Sequence, residues 1–290
     1  MIAQKGGARL RESLKNSKCV VLEVLTPRGS NLQAFLEYAE EAWKTGIDAF
    51  TVTDMPMGKV RMAPWAVSHM LVESGKEVLM HFTRNTRNMI RIQSDLLGCH
   101  ALGIKNLLLL SGDDPSHGDY PTSSVVNDIS INDLIRLTKL MNEGKDLNGK
   151  ILDGKTDFFV GGAVNPLSEH DIERAKEKIE SGVDFLVTQP LFDVGVAERV
   201  KETLNSKLLA SVVFFENARQ MRAFSSVPGI EIPKELFEAS EKGDEYLKEK
   251  SFEVVLEFVE KTKGILDGFY IVAIVRDLEK VKKVVEVVKG

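Results

Sequence analysis

One carboxylate interrupts the apolar run CVVLEVL at Glu23, and its alternate neighbours Cys19, Val21 and Leu25 are apolar. In a strand those residues share one face, so Glu23 points where a core is expected. A carboxylate there is expensive unless it is used, and burial raises its pKa toward that of a general acid. The alternative is a structural ion pair with a neighbouring strand. Other polar residues stand at or just beyond the ends of apolar runs: Thr53 with Asp54, His81, Asp113, Asn165 and Gln189. Gln189 precedes Pro190 and can both donate and accept, which suits the edge of an amide-like heterocycle, or simple hydrogen bonding within a loop. Asp113 lies beside Asp114, where an acidic turn is the plain alternative to chemistry. His81 could be a base or a metal ligand. With five histidines and no Cys/His cluster, a packed or hydrogen-bonded imidazole is the simpler reading, and no metal site is expected.

For these residues to meet, the runs carrying them must be neighbours in one sheet. Eight short apolar or β-branched runs recur, at 19–25, 48–53, 77–81, 106–111, 157–163, 184–188, 208–213 and 268–273. Stretches of helical period and mixed charge separate them, such as 31–45 and 170–181, and Gly46, Gly75, Gly103 and Gly182 read as helix stops. Eight βα units predict an α/β fold, a (β/α)8 TIM barrel, whose chemistry sits at the C-terminal ends of its strands. A doubly wound open sheet is the competitor, but no Gly-rich first turn favours it. Two connections are long, 112–156 and 214–267, and predict extra helices after strands 4 and 7, including 233–242 with Pro233 at the first helical position. At roughly 150 residues per domain the length suggests about two domains, yet barrels run to this length as one. No Gly/Ser or Pro-rich linker divides the chain, so a single domain over 1–290 is expected.

The pattern G-x-x-x-x-G-K-T is present at 149–156, but a strand follows it and a polar segment precedes it. A phosphate-cradling loop needs the reverse order, strand then helix, so a solvated turn is expected. Against 43 Asp and Glu stand 38 Lys and Arg, a net charge of −5, which offers nucleic acid or an anionic membrane no global attraction. Two cysteines, Cys19 and Cys99, far apart, exclude a disulfide scaffold and a four-cysteine zinc site. The N-terminal MIAQKGGARL has no apolar signal region, and the apolar run 269–275 is too short to span a bilayer, so a cytoplasmic location is expected.

Taken together, LEVLTPRG at the first strand, HFT at the third, LLLLSGDDP after the fourth and DFLVTQPLFD at the sixth resemble the methylenetetrahydrofolate reductase family, over essentially the whole chain. The resemblance implies a flavin-bearing barrel that reduces 5,10-methylenetetrahydrofolate to 5-methyltetrahydrofolate. It implies that Glu23 is the acid that helps open the imidazolidine ring, that Asp113 sits between flavin and pterin, and that Gln189 binds the folate. Flavin contacts are implied for Thr53, His81, Asp113, Asp171 and Lys178, and Asn165 is placed with them. FAD is the implied cofactor, with FMN as the alternative. NAD(P)H or an electron-transfer partner subunit would be the donor, and the chain would form a homo-oligomer. VTDMPMGKVRM, after the second strand, looks like the branch found in anaerobes, some of whose members carry FMN and work with a zinc or iron-sulfur partner. Ser111 stands where bacterial members usually carry Arg, and GGAVNPLSEH is shorter than the common version and lacks its tyrosine. A pterin-binding methyltransferase barrel and a non-catalytic folate-binding subunit remain as alternatives.

Overall fold

The structure, a computed structural model, describes residues 7–272, 274 and 277–290. Parallel neighbours cannot be joined by a tight hairpin, so each strand is followed by a helical crossover. The strands are β1 (Cys19–Val24), β2 (Ala49–Val52), β3 (Val78–Thr83), β4 (Asn106–Leu110), β5 (Phe159–Val164), β6 (Phe185–Pro190), β7 (Leu208–Val212) and β8 (Gly268–Ile271). They form one closed barrel in sequence order, with β8 returning to pair with β1 through Cys19↔Gly268 and Val21↔Tyr270. Helix α1 (Ala8–Lys15) precedes the barrel. Helices α2 (Gln33–Trp43), α3 (Pro64–Glu73), α4 (Met89–Ala101), α5 (Ile131–Glu143), α6 (Glu169–Ser181) and α7 (Val194–Leu204) follow β1 to β6 in turn. After β7 come α8 (Ala218–Ser225), α9 (Lys234–Glu241) and α10 (Asp244–Thr262), and α11 (Leu278–Lys289) closes the described chain.

Alternation along the strands divides the apolar residues into two cores. Val20, Leu22, Phe50, Met80, Leu107 and Leu186 face the helices, while Cys19, Val21, Ala49, Leu79, Leu108, Phe185, Val187, Leu209 and Tyr270 fill the interior. Leu10 and Leu14 of α1 join the interior cluster, so α1 plugs the N-terminal end of the barrel. Both Glu77 carboxylate oxygens accept from the Gly7 amide at its head, at 2.8 and 2.9 Å.

The same end carries three aspartates, each just ahead of its strand and each bonded to a backbone amide of the strand before. Asp48 accepts from Val20 N at 2.9 Å and from Lys289 at 2.8 Å. Asp184 accepts from Val160 N at 2.7 Å and with both oxygens from Lys139. Asp267 accepts from Leu208 N at 2.8 Å, from Lys207 at 2.8 Å, from Ser17 at 3.0 Å and from Lys201. These bonds hold the Asp267 carboxyl below its ordinary pKa against the opposing effect of burial, which is the largest single influence.

Some expectations shift in detail. β3 runs on to Thr83 and β6 to Pro190, so His81 and Gln189 lie within strands rather than at their ends. β8 is observed to Ile271, and the expected end at Ala273 lies outside the described residues. Pro233 caps α9 instead of opening it, because its extended ψ of 138° is not helical. After β4 the excursion contains a one-turn 3-10 segment, Pro115–His117, before α5. The 149–156 match is a loop that leads into β5, without a helix to receive phosphate. No helix among the described residues is long and apolar enough to cross a membrane.

Candidate active site

The C-terminal strand ends surround a cavity of about 410 Å³, within the usual range for small-molecule sites. Glu23, Thr53, His81, Asp113, Asn165, Asp171, Lys178 and Gln189 all line it, so every residue singled out from the sequence reaches one mouth. They arrive from β1, β3 and β6, from the loops after β2, β4 and β5, and from α6.

Inward-facing side chains of β1, β2, β3 and β8 form a buried polar network at the cavity floor. The Tyr270 hydroxyl donates to Glu23 Oε2. Thr51 Oγ1 donates to the same phenol at 2.7 Å, and His81 Nε2 lies 3.0 Å from it. A phenol has one proton to give, and once it goes to Glu23 the phenol oxygen can only accept from His81. The His81 proton is therefore on Nε2. Burial pushes the imidazole pKa down to about 4, with the charge of Asp54 only partly opposing, so the ring is neutral near pH 7. Burial first, then the Glu23 charge and hydrogen bond, raise Tyr270 well above its ordinary value and keep the phenol protonated.

Asp113 stands on the rim, exposed, with Oδ2 accepting from Met57 N at 2.5 Å. Its own carbonyl accepts from Asn85 Nδ2 at 2.6 Å. Gly112 just before it has φ 89°, and a Cβ there would lie 2.0 Å from Asn85 Oδ1, so only glycine lets the loop pass. The loops after β2 and β4 are clasped a second time, because Asp119 accepts from Val60 N at 2.8 Å and pairs with Arg28 at 2.9 Å. Met55 and Met57 hold left-handed backbone, φ 47° and 57°, within this clasp.

Across the cavity, Lys178 Nζ donates to Ala163 O at 2.5 Å, and burial together with nearby Arg174 lowers its pKa. Asn165 Oδ1 accepts from Leu167 N at 3.0 Å, which leaves its amide N–H2 for another partner. Gln189 stands beside a register irregularity between β6 and β7, where strands commonly re-aim a side chain toward a site. Thr53 donates to Val24 O at 3.3 Å, so its hydroxyl oxygen remains an acceptor.

The sequence reading did not single out Tyr270, Thr51, Arg87 or Arg174. Tyr270 has the same inward parity on its strand as Glu23 on β1, and that is the signal that could have found it. Arg87 is tied to the site through Asp54 and Thr83: its Nη1 donates to Asp54 Oδ2 at 2.8 Å and to Thr83 O at 2.7 Å.

The family model described as methylenetetrahydrofolate reductase matches residues 9–288. A curated relative, the 5,10-methylenetetrahydrofolate reductase of Buchnera aphidicola subsp. Schizaphis graminum, is 27% identical over 154 residues, 50% of this chain and 47% of that protein. The match thus spans about half the length of that relative. Among solved structures, an uncharacterized protein from Clostridium thermocellum that binds two copies of 5-methyl-5,6,7,8-tetrahydrofolic acid superposes with a TM-score of 0.66 at 13% identity, covering 97% of this chain and 98% of that one. Tryptophan synthase of Mycobacterium tuberculosis follows at 0.56 and 10% identity, covering 98% and 99%. At such identities the likeness is one of fold alone.

Proposed function

Because the chain belongs to the methylenetetrahydrofolate reductase family, we propose that it reduces 5,10-methylenetetrahydrofolate to 5-methyltetrahydrofolate with a flavin held in the barrel mouth. The observation that carries this reading is the Glu23 carboxyl, set on the cavity floor against a phenol and a neutral imidazole. The ligand known for the Clostridium thermocellum neighbour supports folate as the substrate of a barrel of this shape.

The residues present fit a flavin. Neutral donors and acceptors, Thr53, His81, Asn165 and Gln189, suit a planar heterocycle, while Arg174 and Lys178 on one wall suit phosphate. FAD is the proposed form, with FMN as the alternative. When bound, the flavin supplies the hydride transfer that no side chain can perform. Glu23 holds a proton for the ring nitrogen that departs as the imidazolidine opens, the role of a general acid. Tyr270 and His81 fix the orientation of that carboxyl. Asp113, held by Met57 N, places negative charge where the substrate becomes cationic. Gln189 meets the donor and acceptor edge of the pterin, and Asn165, Asp171 and Lys178 hold the cofactor side. Electrons would enter from NAD(P)H or a partner subunit, in a cytoplasmic homo-oligomer.

The test is rapid mixing of the flavin-loaded, dye-reduced protein with 5,10-methylenetetrahydrofolate. Reoxidation with stoichiometric 5-methyltetrahydrofolate is the expected result. Protein that binds neither FAD nor FMN on reconstitution would overturn the reading.

A further inference from the structure

The strands on either side of β1 both turn a hydroxyl toward Glu23. On β2 its register partner is Thr51, and from β8 Tyr270 donates to Glu23 Oε2. The phenol oxygen in turn accepts from Thr51 Oγ1 at 2.7 Å and from His81 Nε2, 3.0 Å away. Its one proton is given and two are received, so its capacity is used in full. Thr51 is 0% and Tyr270 3% exposed, and these partners are therefore not traded for bulk water.

Burial favours a neutral carboxyl, and a carboxyl that grips its proton too tightly is a poor acid at ordinary pH. A donor aimed at the carboxylate works the other way, because a hydrogen bond to the charged form favours that form. Two donors on the phenol oxygen polarise its O–H and strengthen the bond it makes to Glu23. The influence is mutual, since the charge and hydrogen bond of Glu23, after burial, raise Tyr270. His81 is neutral near pH 7 and brings a donor without bringing a cation. The other charged groups lining the cavity are Asp54, Asp113, Asp171, Arg174 and Lys178, three acids against two bases. Each has a partner of its own: Arg87 for Asp54, Met57 N for Asp113, Arg174 for Asp171 and Ala163 O for Lys178.

We propose that Tyr270, backed by Thr51 and His81, is a positioning residue that holds down the proton affinity of Glu23, so that the carboxyl releases its proton at ordinary pH. This rests on the reading of Glu23 as general acid and adds what lets it act as one. As the proton leaves, charge develops on a carboxylate that already has a fixed donor against it. Tyr270→Phe removes the hydroxyl alone. Thr51 and His81 lie 3.3 Å apart and can then pair with each other, so the floor keeps its packing. Thr51→Val is milder: it takes one donor from the phenol and leaves Glu23 its partner.

The experiment is an infrared titration of the full-length protein as purified, following the protonated-carboxyl band that Glu23→Gln lacks. In Tyr270→Phe its midpoint should rise by about 1 to 2 pH units, the worth of a hydrogen bond to a charged group. In Thr51→Val it should rise by less. Rapid mixing of the dye-reduced, flavin-loaded proteins with 5,10-methylenetetrahydrofolate gives the second readout. Reoxidation should slow on the alkaline side as Glu23 loses its proton, and in Tyr270→Phe that limb should move up by the same shift while the plateau below it drops. A Glu23 midpoint that stays at the wild-type value in both variants overturns the proposal, and a rate lost equally at every pH then marks Tyr270 as structural. A midpoint that moves while the limb does not leaves the tuning in place and defeats the general-acid reading instead. If Tyr270→Phe folds poorly, the midpoint of Thr51→Val decides by itself.

Discussion

At the N-terminal end of the barrel, Asp48, Asp184 and Asp267 each accept from a backbone amide and from at least one lysine, with both oxygens in use. At the C-terminal end, Asp54 fills one oxygen and leaves the other without a donor, and Asp113 stands exposed with its carboxylate held by a single backbone amide. The residue type is the same at both ends, and what differs is how completely its acceptor capacity is met. A saturated carboxylate joins strand to strand and has nothing left to offer a ligand. An exposed one with a single donor, such as Asp113, keeps acceptor capacity to spare. This matches the general division of such barrels into a stabilising face and a reacting face.

The sharpest break of that comparison is Glu23→Gln. The variant keeps the shape of the floor but has no proton to transfer, so reduction of methylenetetrahydrofolate should fall by about 10²- to 10⁴-fold. Flavin affinity and unfolding midpoint should stay near wild type. Rapid-mixing reoxidation measures the first and denaturant titration the second, and an unchanged reoxidation rate would make Glu23 structural. Asp267→Ala should do the reverse. It strands Leu208 N and two lysines, and should cost about 3–5 kcal/mol in urea unfolding while flavin affinity is preserved.

Acid should then separate the two ends by pH window. His81 has a folded pKa of about 4, below the unfolded value of about 6.5, so over that window only the unfolded state takes up the proton. Stability should therefore fall by about 3 kcal/mol as pH drops from about 6.5 to 4. Asp267 has a depressed folded pKa, so its contribution is present above the unfolded value of about 3.9 and is lost as pH falls below it. Urea unfolding at a series of pH values should show both phases. In His81→Asn the upper phase should shrink to the smaller part left by His100, whose pKa burial also lowers, and the lower one remain.

The barrel and its mouth were legible because parity and helical period are local signals. Glu23 could be placed inward from CVVLEVL alone, and the eight runs carried their polar residues to matching ends. Tyr270 obeys the same parity in GFYI, but a tyrosine in an apolar strand reads as core until closure sets β8 beside β1, 247 residues from Glu23. Asp54 was visible beside Thr53, yet its half-filled state depends on Thr83 and Arg87 in the next βα unit. Strand ends moved for a related reason. Pairing with β4 and β7, which no single run reveals, draws His81 and Gln189 into their strands.

The Glu23–Tyr270 hydrogen bond crosses the seam where the first strand meets the last. During synthesis β1 emerges well before β8, so this contact closes a loop of 247 residues, among the slow kinds to form. Until that happens Glu23 lacks its phenol. A nascent or half-folded chain therefore cannot present the finished proton donor to a passing ligand, and competence becomes a late certificate that the barrel is complete.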